Sequence, residues 1–357
     1  MNKSIKKIDD QIEKFDDKIV NYTCVCKKNF YTKQKLLYIL PCCHVIHETC
    51  FNKYILDSQY EKLYKNNNNL NLNCPMCSNQ ISSVLTEEKI KSKSKYKQYQ
   101  IDLKSLKIDT SALVNYVSLP FSMIKLTSFI NKLILVENHE QIVDCIDFLL
   151  QSFGIKINVI DNTKKNPFIV KNNTVIWKNK KDNKSKTVIV ANHSNYLDSF
   201  ILFYLFKCGF VSSDFINTTD IGRLIASKCN LLIFKRGVDK DMVSKIKDYL
   251  DEMKKIVIYP EGAMANNETL IRFRTGAFYT GANICPVVLK YKNFIHDDDI
   301  TQYIFKLITQ NEIIVDVYIN DIFYPPFNNE KIEEVRDLMV KVGNFEKSRV
   351  SNRSVKE

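Results

Sequence analysis

Eight side chains between Cys24 and Cys77 are of the types that bind soft metal ions: Cys24, Cys26, Cys42, His44, His47, Cys50, Cys74 and Cys77. Seven of the eleven cysteines fall in that stretch, with two of the five histidines. Zinc takes four such ligands in a tetrahedron, so eight make two closed structural sites. The opening MNKSIKKIDDQIEKFDDKIV is charged throughout and does not read as a secretory leader, so the clustered thiols point to metal and not to disulfides. Far downstream, in VIVANHSNYLDSF, an apolar run ends at Asn192-His193 and Asp198 follows at the head of a second apolar run. A lone His-x4-Asp pair is cheap by chance. Residues five apart sit about 140° apart around one helix. The pair therefore meets only if His193 lies in a turn after a strand and Asp198 in the first turn of the next helix, where a carboxylate also suits the helix dipole.

The elements that must position these residues follow from periodicity. Apolar, β-branched runs of strand length occur at IKINVI, KTVIVA, NLLIFK, KIVIYP, CPVVLKY and EIIVDVYI. Between them Met242, Val243, Ile246, Tyr249, Leu250 and Met253 make a helical stripe. Such alternation predicts an α/β domain over residues 150–345, a mainly parallel sheet flanked by helices, beside a small zinc-stapled domain over 21–82. Polar groups at the carboxyl ends of the strands are where ligands bind in open α/β sheets.

The remaining segments are less specific. Ile5, Ile8, Ile12, Phe15 and Ile19 form one stripe of an N-terminal helix over 1–20, either docked on the following domain or making a dimer contact. The Asn-rich KNNNNLNLN reads as a loop insertion. Residues 83–110 form a basic linker and 346–357 a disordered tail. Within a helical segment 111–149, the uncharged run Ser111–Ile124 is shorter than the roughly 20 residues a spanning helix needs. A helix lying in the membrane interface, or a shallow re-entrant pair, fits better than a span, with a buried helical pair as the alternative. The net charge of +12 suits an anionic membrane surface or a solvated lysine-rich surface. The lysines lack the interleaved aromatics of a nucleic-acid platform, so no nucleic-acid partner is expected.

LPCCHVIHETC and CPMC resemble the middle and end of a RING finger. The cross-brace of that family implies Cys24, Cys26, His47 and Cys50 around one zinc, and Cys42, His44, Cys74 and Cys77 around the other. Two departures stand out: the first pair is Cys-x-Cys, and the stretch from Cys50 to Cys74 is long. The resemblance also implies a ubiquitin-conjugating enzyme as partner, met by Val25 and Pro75, although Ser78 stands where a basic residue is usual.

Four blocks in order resemble the glycerophospholipid acyltransferase superfamily. They are Asn192-His193 with Asp198; Arg236 after an apolar strand; Pro260-Glu261-Gly262, with Ala263 where threonine is usual; and the proline-led strand at Pro286. The run Glu261, Gly262, Asn266, Arg272, Phe273, Arg274, Gly276, Ala277 and Phe278 is most similar to the lysophosphatidylcholine acyltransferases. Met264 replaces an arginine common in the simpler bacterial-type members.

The resemblance implies acyl transfer from acyl-CoA to a lysophospholipid of the 1-acylglycerophosphocholine or 1-acylglycerol-3-phosphate type. His193 acts as general base, Asp198 orients it, and no acyl-enzyme forms. Arg236, assisted by Lys235, anchors a substrate phosphate. Glu261 and Gly262 shape the glycerol site, Arg272 and Arg274 meet phosphate or CoA, and Asn266 and Pro286 complete the substrate set. Acyl-CoA and reduced thiols place the active face on the cytosolic side of an endoplasmic-reticulum-like membrane. The alternative reading is a membrane-tethered ubiquitin ligase whose second domain only binds lipid.

Overall fold

Leu36–Leu40 (β1) and His44–His47 (β2) pair antiparallel, and Ser83–Thr86 (β3) adds to the other edge of β1. The computed structural model describes residues 24–26, 35–40, 42, 44–57, 72–81, 83–88, 101, 104, 118–164, 168–171, 174–177, 185–235, 241–296 and 300–351. Two compact units emerge, one from Met1–Asp109 with Glu268–Arg272 and Glu346–Glu357, the other from Thr110–Asn267 with Phe273–Phe345. The expected N-terminal helix over 1–20 lies outside the described residues, as does the Asn-rich insertion up to residue 71.

The first unit has a small core. Leu36, Leu37, Tyr38, Ile39, Val45, Ile46, Phe51 and Leu72 are buried, and the helix Glu48–Asp57 (α1) follows β2 directly. So few apolar residues rarely hold a domain unaided, which is why such modules carry staples. β3, which begins at the expected start of the linker, pairs with β1 through Thr86. Thr269–Leu270 (β11) pairs in parallel with Glu346–Lys347 (β14), and the Arg272 amide donates to the Val350 carbonyl at 2.9 Å. Within the expected tail over 346–357, only residues 346–351 are described.

The second unit is a mixed five-stranded sheet. Its order is Lys255–Ile258 (β10), Thr187–Ala191 (β7), Asn283–Tyr291 (β12), Ile313–Ile319 (β13), Ile155–Asp161 (β4). The pairs β10·β7, β7·β12 and β13·β4 are parallel, while β12·β13 is antiparallel. Every residue of β7 is buried, as a central strand covered on both faces requires. Two strands lie apart: Val211–Ser213 (β8) pairs in parallel with Leu232–Phe234 (β9), and an isolated bridge joins Phe210 to Val257 of β10. The NLLIFK run thus forms a strand outside the hydrogen-bonded five. A short hairpin, Phe168–Lys171 (β5) with Thr174–Trp177 (β6), had no separate sequence signal.

Helices cover the sheet. Leu119–Leu135 (α2) starts with Pro120 in its first turn, and His139–Ser152 (α3) starts with a capping box between Asn138 and Gln141. Phe129 and Leu133 of α2 and Ile142, Cys145, Ile146, Leu149 and Leu150 of α3 belong to the same core as the sheet. Leu197–Phe206 (α4) is apolar almost all round and lies in the interior, as such helices must. Asp220–Lys228 (α5), Met242–Met253 (α6), Ile300–Ile308 (α7) and Asn329–Gly343 (α8) complete the layers. In α6 the sequence stripe turns Ile246 and Leu250 inward.

Candidate active site and cysteine–histidine centres

His193 follows β7 by two residues, and Asp198 is the second residue of α4. The turn between them is built from side chains that bond to backbone. Asn192 replaces the strand ladder where the main chain leaves the sheet: its Nδ2 donates to the Leu289 carbonyl at 2.9 Å and its Oδ1 accepts from the Leu289 amide at 2.8 Å. Asn195 Oδ1 accepts from the Leu197 amide and from the Tyr303 hydroxyl, and its Nδ2 donates to the Ile295 carbonyl at 2.8 Å. The loop is pinned to β12, to α7 and to the segment between them.

Two buried carboxylates hold three consecutive amides of this loop. Glu261 Oε1 accepts from the His193 amide at 2.8 Å, while Asp198 Oδ2 accepts from the amides of Ser194 and Asn195, each at 2.8 Å. The Ala265 amide returns a bond to the His193 carbonyl at 2.7 Å. Burying a carboxylate is costly unless its oxygens are bonded. Asp198 meets that condition with the two amides, the Tyr291 hydroxyl on Oδ1 at 2.5 Å and His193 Nδ1 on Oδ2 at 3.0 Å. A carboxylate only accepts, so Nδ1 carries the proton and Nε2 keeps a lone pair. The His193 side chain is 20% exposed and that of Asp198 is 0% exposed. The imidazole stacks on the Tyr259 ring at 4.1 Å, and the Tyr259 hydroxyl shares a 3.0 Å bond with Ser199. Burial first, and then the Asp198 charge, pushes the phenols of Tyr259, Tyr291 and Tyr303 well above their ordinary range.

The structure brings some of the expected substrate residues to this loop and not others. Glu261 is buried and spent on the His193 amide. Gly262 has φ +66°, a left-handed turn where glycine carries no penalty, and its amide bonds back to the Tyr259 carbonyl at 3.0 Å. Asn266 is buried just beyond this turn. Its neighbour Asn267, which no motif pointed to, holds the end of β12 through both backbone groups of Tyr291, at 2.7 and 3.1 Å. Arg274 has an exposed side chain, and its amide donates to the Pro260 carbonyl at 2.7 Å. Lys235 is exposed just past β9, and Arg236 lies outside the described residues. Pro286 is buried inside β12, in register with Val190, and its carbonyl accepts from the Asn320 amide and side chain, both at 3.1 Å.

In the first unit the eight expected ligands gather as two sets, Cys24, Cys26, His47, Cys50 and Cys42, His44, Cys74, Cys77, with the donor atoms of each set within 4.8 Å of one another. Cys26 Sγ lies 3.3 Å and Cys50 Sγ 3.7 Å from His47 Nδ1, and Cys74 Sγ lies 3.6 Å from His44 Nδ1. Cys74 to Cys77 occupy a tight turn, with the Ser78 amide bonded to the Cys74 carbonyl at 2.8 Å and Ser78 at φ +60°. Burial pushes the Cys24 thiol up to about 12, so a thiolate there calls for a cation beside it. Donor type, number and spacing all fit tetrahedral zinc.

Comparison with known proteins finds a sequence likeness that covers most of the region carrying these residues. Residues 172–290 match the family model described as Acyltransferase. Glycerol-3-phosphate acyltransferase 3 of Mus musculus is 28% identical over 162 residues, 41% of this chain and 36% of that protein. Lysophospholipid acyltransferase LPEAT2 of Arabidopsis thaliana is 26% identical over 148 residues, 39% of this chain and 28% of that protein. Residues 172–290 are thus acyltransferase-like in sequence. The chain spans about a third of the length of these relatives. Among solved structures, the 1-acyl-sn-glycerophosphate (LPA) acyltransferase PlsC of Thermotoga maritima aligns with TM-score 0.42 and 13% identity, over 64% of this chain and 91% of that one.

Proposed function

We propose that the second unit transfers an acyl group from acyl-CoA to the free hydroxyl of a lysophospholipid or glycerol phosphate, with His193 as general base. The observation that carries this reading is the His193–Asp198 pair. A partly exposed imidazole is held at Nδ1 by a buried, fully bonded carboxylate, which leaves Nε2 as the base. Nε2 takes the proton of the acceptor hydroxyl as its oxygen bonds to the thioester carbon. The carbon–sulfur bond then breaks, and the leaving thiolate recovers the proton from His193. Asp198 stays ionised and stabilises the imidazolium. Glu261 serves as a positioning residue for the His193 loop, while Lys235, Arg236, Arg272 and Arg274 supply cationic groups for phosphate and CoA. Gly262 and Asn266 shape the turn that frames the acceptor.

The exposed apolar face of α2, with Phe121, Ile124, Ile134 and Leu135 beside Lys125 and Lys132, suits a helix lying on an anionic membrane. Among the described residues, no helix is long and apolar enough to cross a membrane. A lipid acceptor would reach the site from that surface, on the cytosolic side.

The two cysteine–histidine sets would each hold a structural zinc ion, which supplies four bonds to a module with a small core. A second reading, ubiquitin ligation through a RING-type module, draws on the exposed Val25 between Cys24 and Cys26. The deciding experiment is purified protein with labelled acyl-CoA and a panel of glycerol-3-phosphate, lysophosphatidate and lysophosphatidylcholine. Transfer that is lost in His193→Ala is the expected result. No transfer to any acceptor, together with autoubiquitination lost in Cys74→Ala, would favour the second reading.

A further inference from the structure

We infer that Tyr291 is a positioning residue for catalysis, its phenol holding Asp198 in the orientation that fixes His193. The inference rests on the general-base reading and names a residue with no role expected from the sequence, the last of the proline-led strand. Tyr291 closes β12, the strand next to β7, and Asn267 clamps its backbone on both sides. Its ring is buried at 3% exposure, and its hydroxyl donates to Asp198 Oδ1 at 2.5 Å. Oδ2 carries the other three bonds, from the Ser194 and Asn195 amides and from His193 Nδ1. Among the described residues, Tyr291 is the only hydrogen-bond donor to Oδ1. Without it the carboxylate keeps one oxygen in an apolar interior with no donor, and two forces act at once. The group rotates to seek a donor, and it takes up a proton more readily, because a bond to the charged form is lost.

The titratable groups facing Asp198 are His193 from the loop after β7, Tyr259 after β10, Tyr291 on β12 and Tyr303 on α7. Tyr303 differs from Tyr291 in what it bonds. Its hydroxyl donates to Asn195 Oδ1, so it supports the loop and does not touch the carboxylate. The burial that pushes these phenols up keeps Tyr291 protonated, and therefore a donor, throughout the range of any assay.

Three measurements on the full chain test the inference. In Tyr291→Phe the ring stays in the core. At the pH optimum kcat is expected to fall about 3- to 10-fold with the acceptor KM unchanged, and the acid limb of kcat/KM to move to higher pH. Tyr303→Phe is expected to leave that limb in place. Nitrogen-15 NMR of labelled histidine, with His193 assigned through His193→Ala, is expected to show a single Nδ1–H tautomer in wild type and a mixture in Tyr291→Phe. Uniform 3-fluorotyrosine, which keeps every ring in place and strengthens the phenol as donor, is expected to move the acid limb to lower pH even if Tyr291→Phe does not fold. A wild-type pH profile together with a wild-type His193 tautomer in Tyr291→Phe would overturn the inference, as would an unmoved limb with fluorotyrosine. The tautomer readout needs no turnover. Full transfer by His193→Ala would sink the general-base reading, whereas a moved tautomer would still establish the Tyr291 contact.

Discussion

His47 closes the strand β2 and His193 follows β7 by two residues, yet the two imidazoles stand in opposite surroundings. His47 is buried, with thiols at 3.3 and 3.7 Å from its Nδ1, inside a set of four donors. His193 has one carboxylate at Nδ1 and is partly open to solvent. A metal ion held by four mutually close donors would consume the ring as a ligand, whereas a single acceptor-only partner orients the ring and would leave the second nitrogen for chemistry. Cysteine divides the same way. In the first unit thiols face one another in sets, while in the second Cys208 and Cys285 are dispersed in the core, where burial pushes both up to about 12 and they act as small apolar residues. Residue type alone does not assign the role; the neighbours do.

The largest expected effect lies in the first unit. Structural zinc of this kind contributes about 10–16 kcal/mol to folding, so a strong chelator is expected to abolish the amide dispersion of β1, β2 and β3 in a nitrogen-15 spectrum of the full chain. Unchanged strand signals after complete metal removal would break the contrast drawn above. Next in size is His193→Ala, expected to lower kcat about 10²- to 10⁴-fold while leaving the melting temperature near that of wild type, since the ring is not a core residue. A large loss of stability in that variant would make His193 structural, like His47.

Glu261 sharpens the comparison, because its Oε1 accepts from the backbone amide of His193. Glu261→Ala leaves the His193 amide without its acceptor, which costs about 1–3 kcal/mol of stability, and kcat is expected to fall with the acceptor KM unchanged. Glu261→Gln retains an acceptor oxygen and is expected to recover most of both. A raised KM with normal kcat in either variant would return Glu261 to the substrate site. The smallest effect belongs to the exposed face of α2. Phe121→Ser and Leu135→Ser are each expected to weaken sedimentation with anionic vesicles by about 1–2 kcal/mol, with acyl transfer to a detergent-dispersed acceptor unchanged. Vesicle binding equal to wild type would remove α2 as the membrane-facing element.

Much of this organisation was legible in the chain. The strand at KTVIVA, the turn at His193 and the helix beginning near Asp198 follow from apolar periodicity and from the geometry of a five-residue spacing. The two sets of cysteine–histidine donors follow the pairing that the RING resemblance implied. Less legible were interactions over long sequence separations. Asn267 and Tyr291 sit in unremarkable polar and strand contexts, and their roles depend on β12 lying beside β7. Pro286 entered the substrate set through the family resemblance alone, and that it sits in register with Val190 inside the sheet depends on the same long-range pairing.

What the sequence determined by itself were the local facts: which runs are strands, which helix is buried, and which side chains have metal-ligand or base chemistry. These depend on residue type and on periods of two and 3.6 residues. The tertiary structure alone decided which oxygen of Asp198 meets which donor, that Glu261 faces the His193 amide, and that one core joins α2 and α3 to the sheet. Those pairings join residues as far as 93 positions apart, as with Tyr291 and Asp198. They arise from strand order and register, which the packing of the whole sheet sets and no local window encodes.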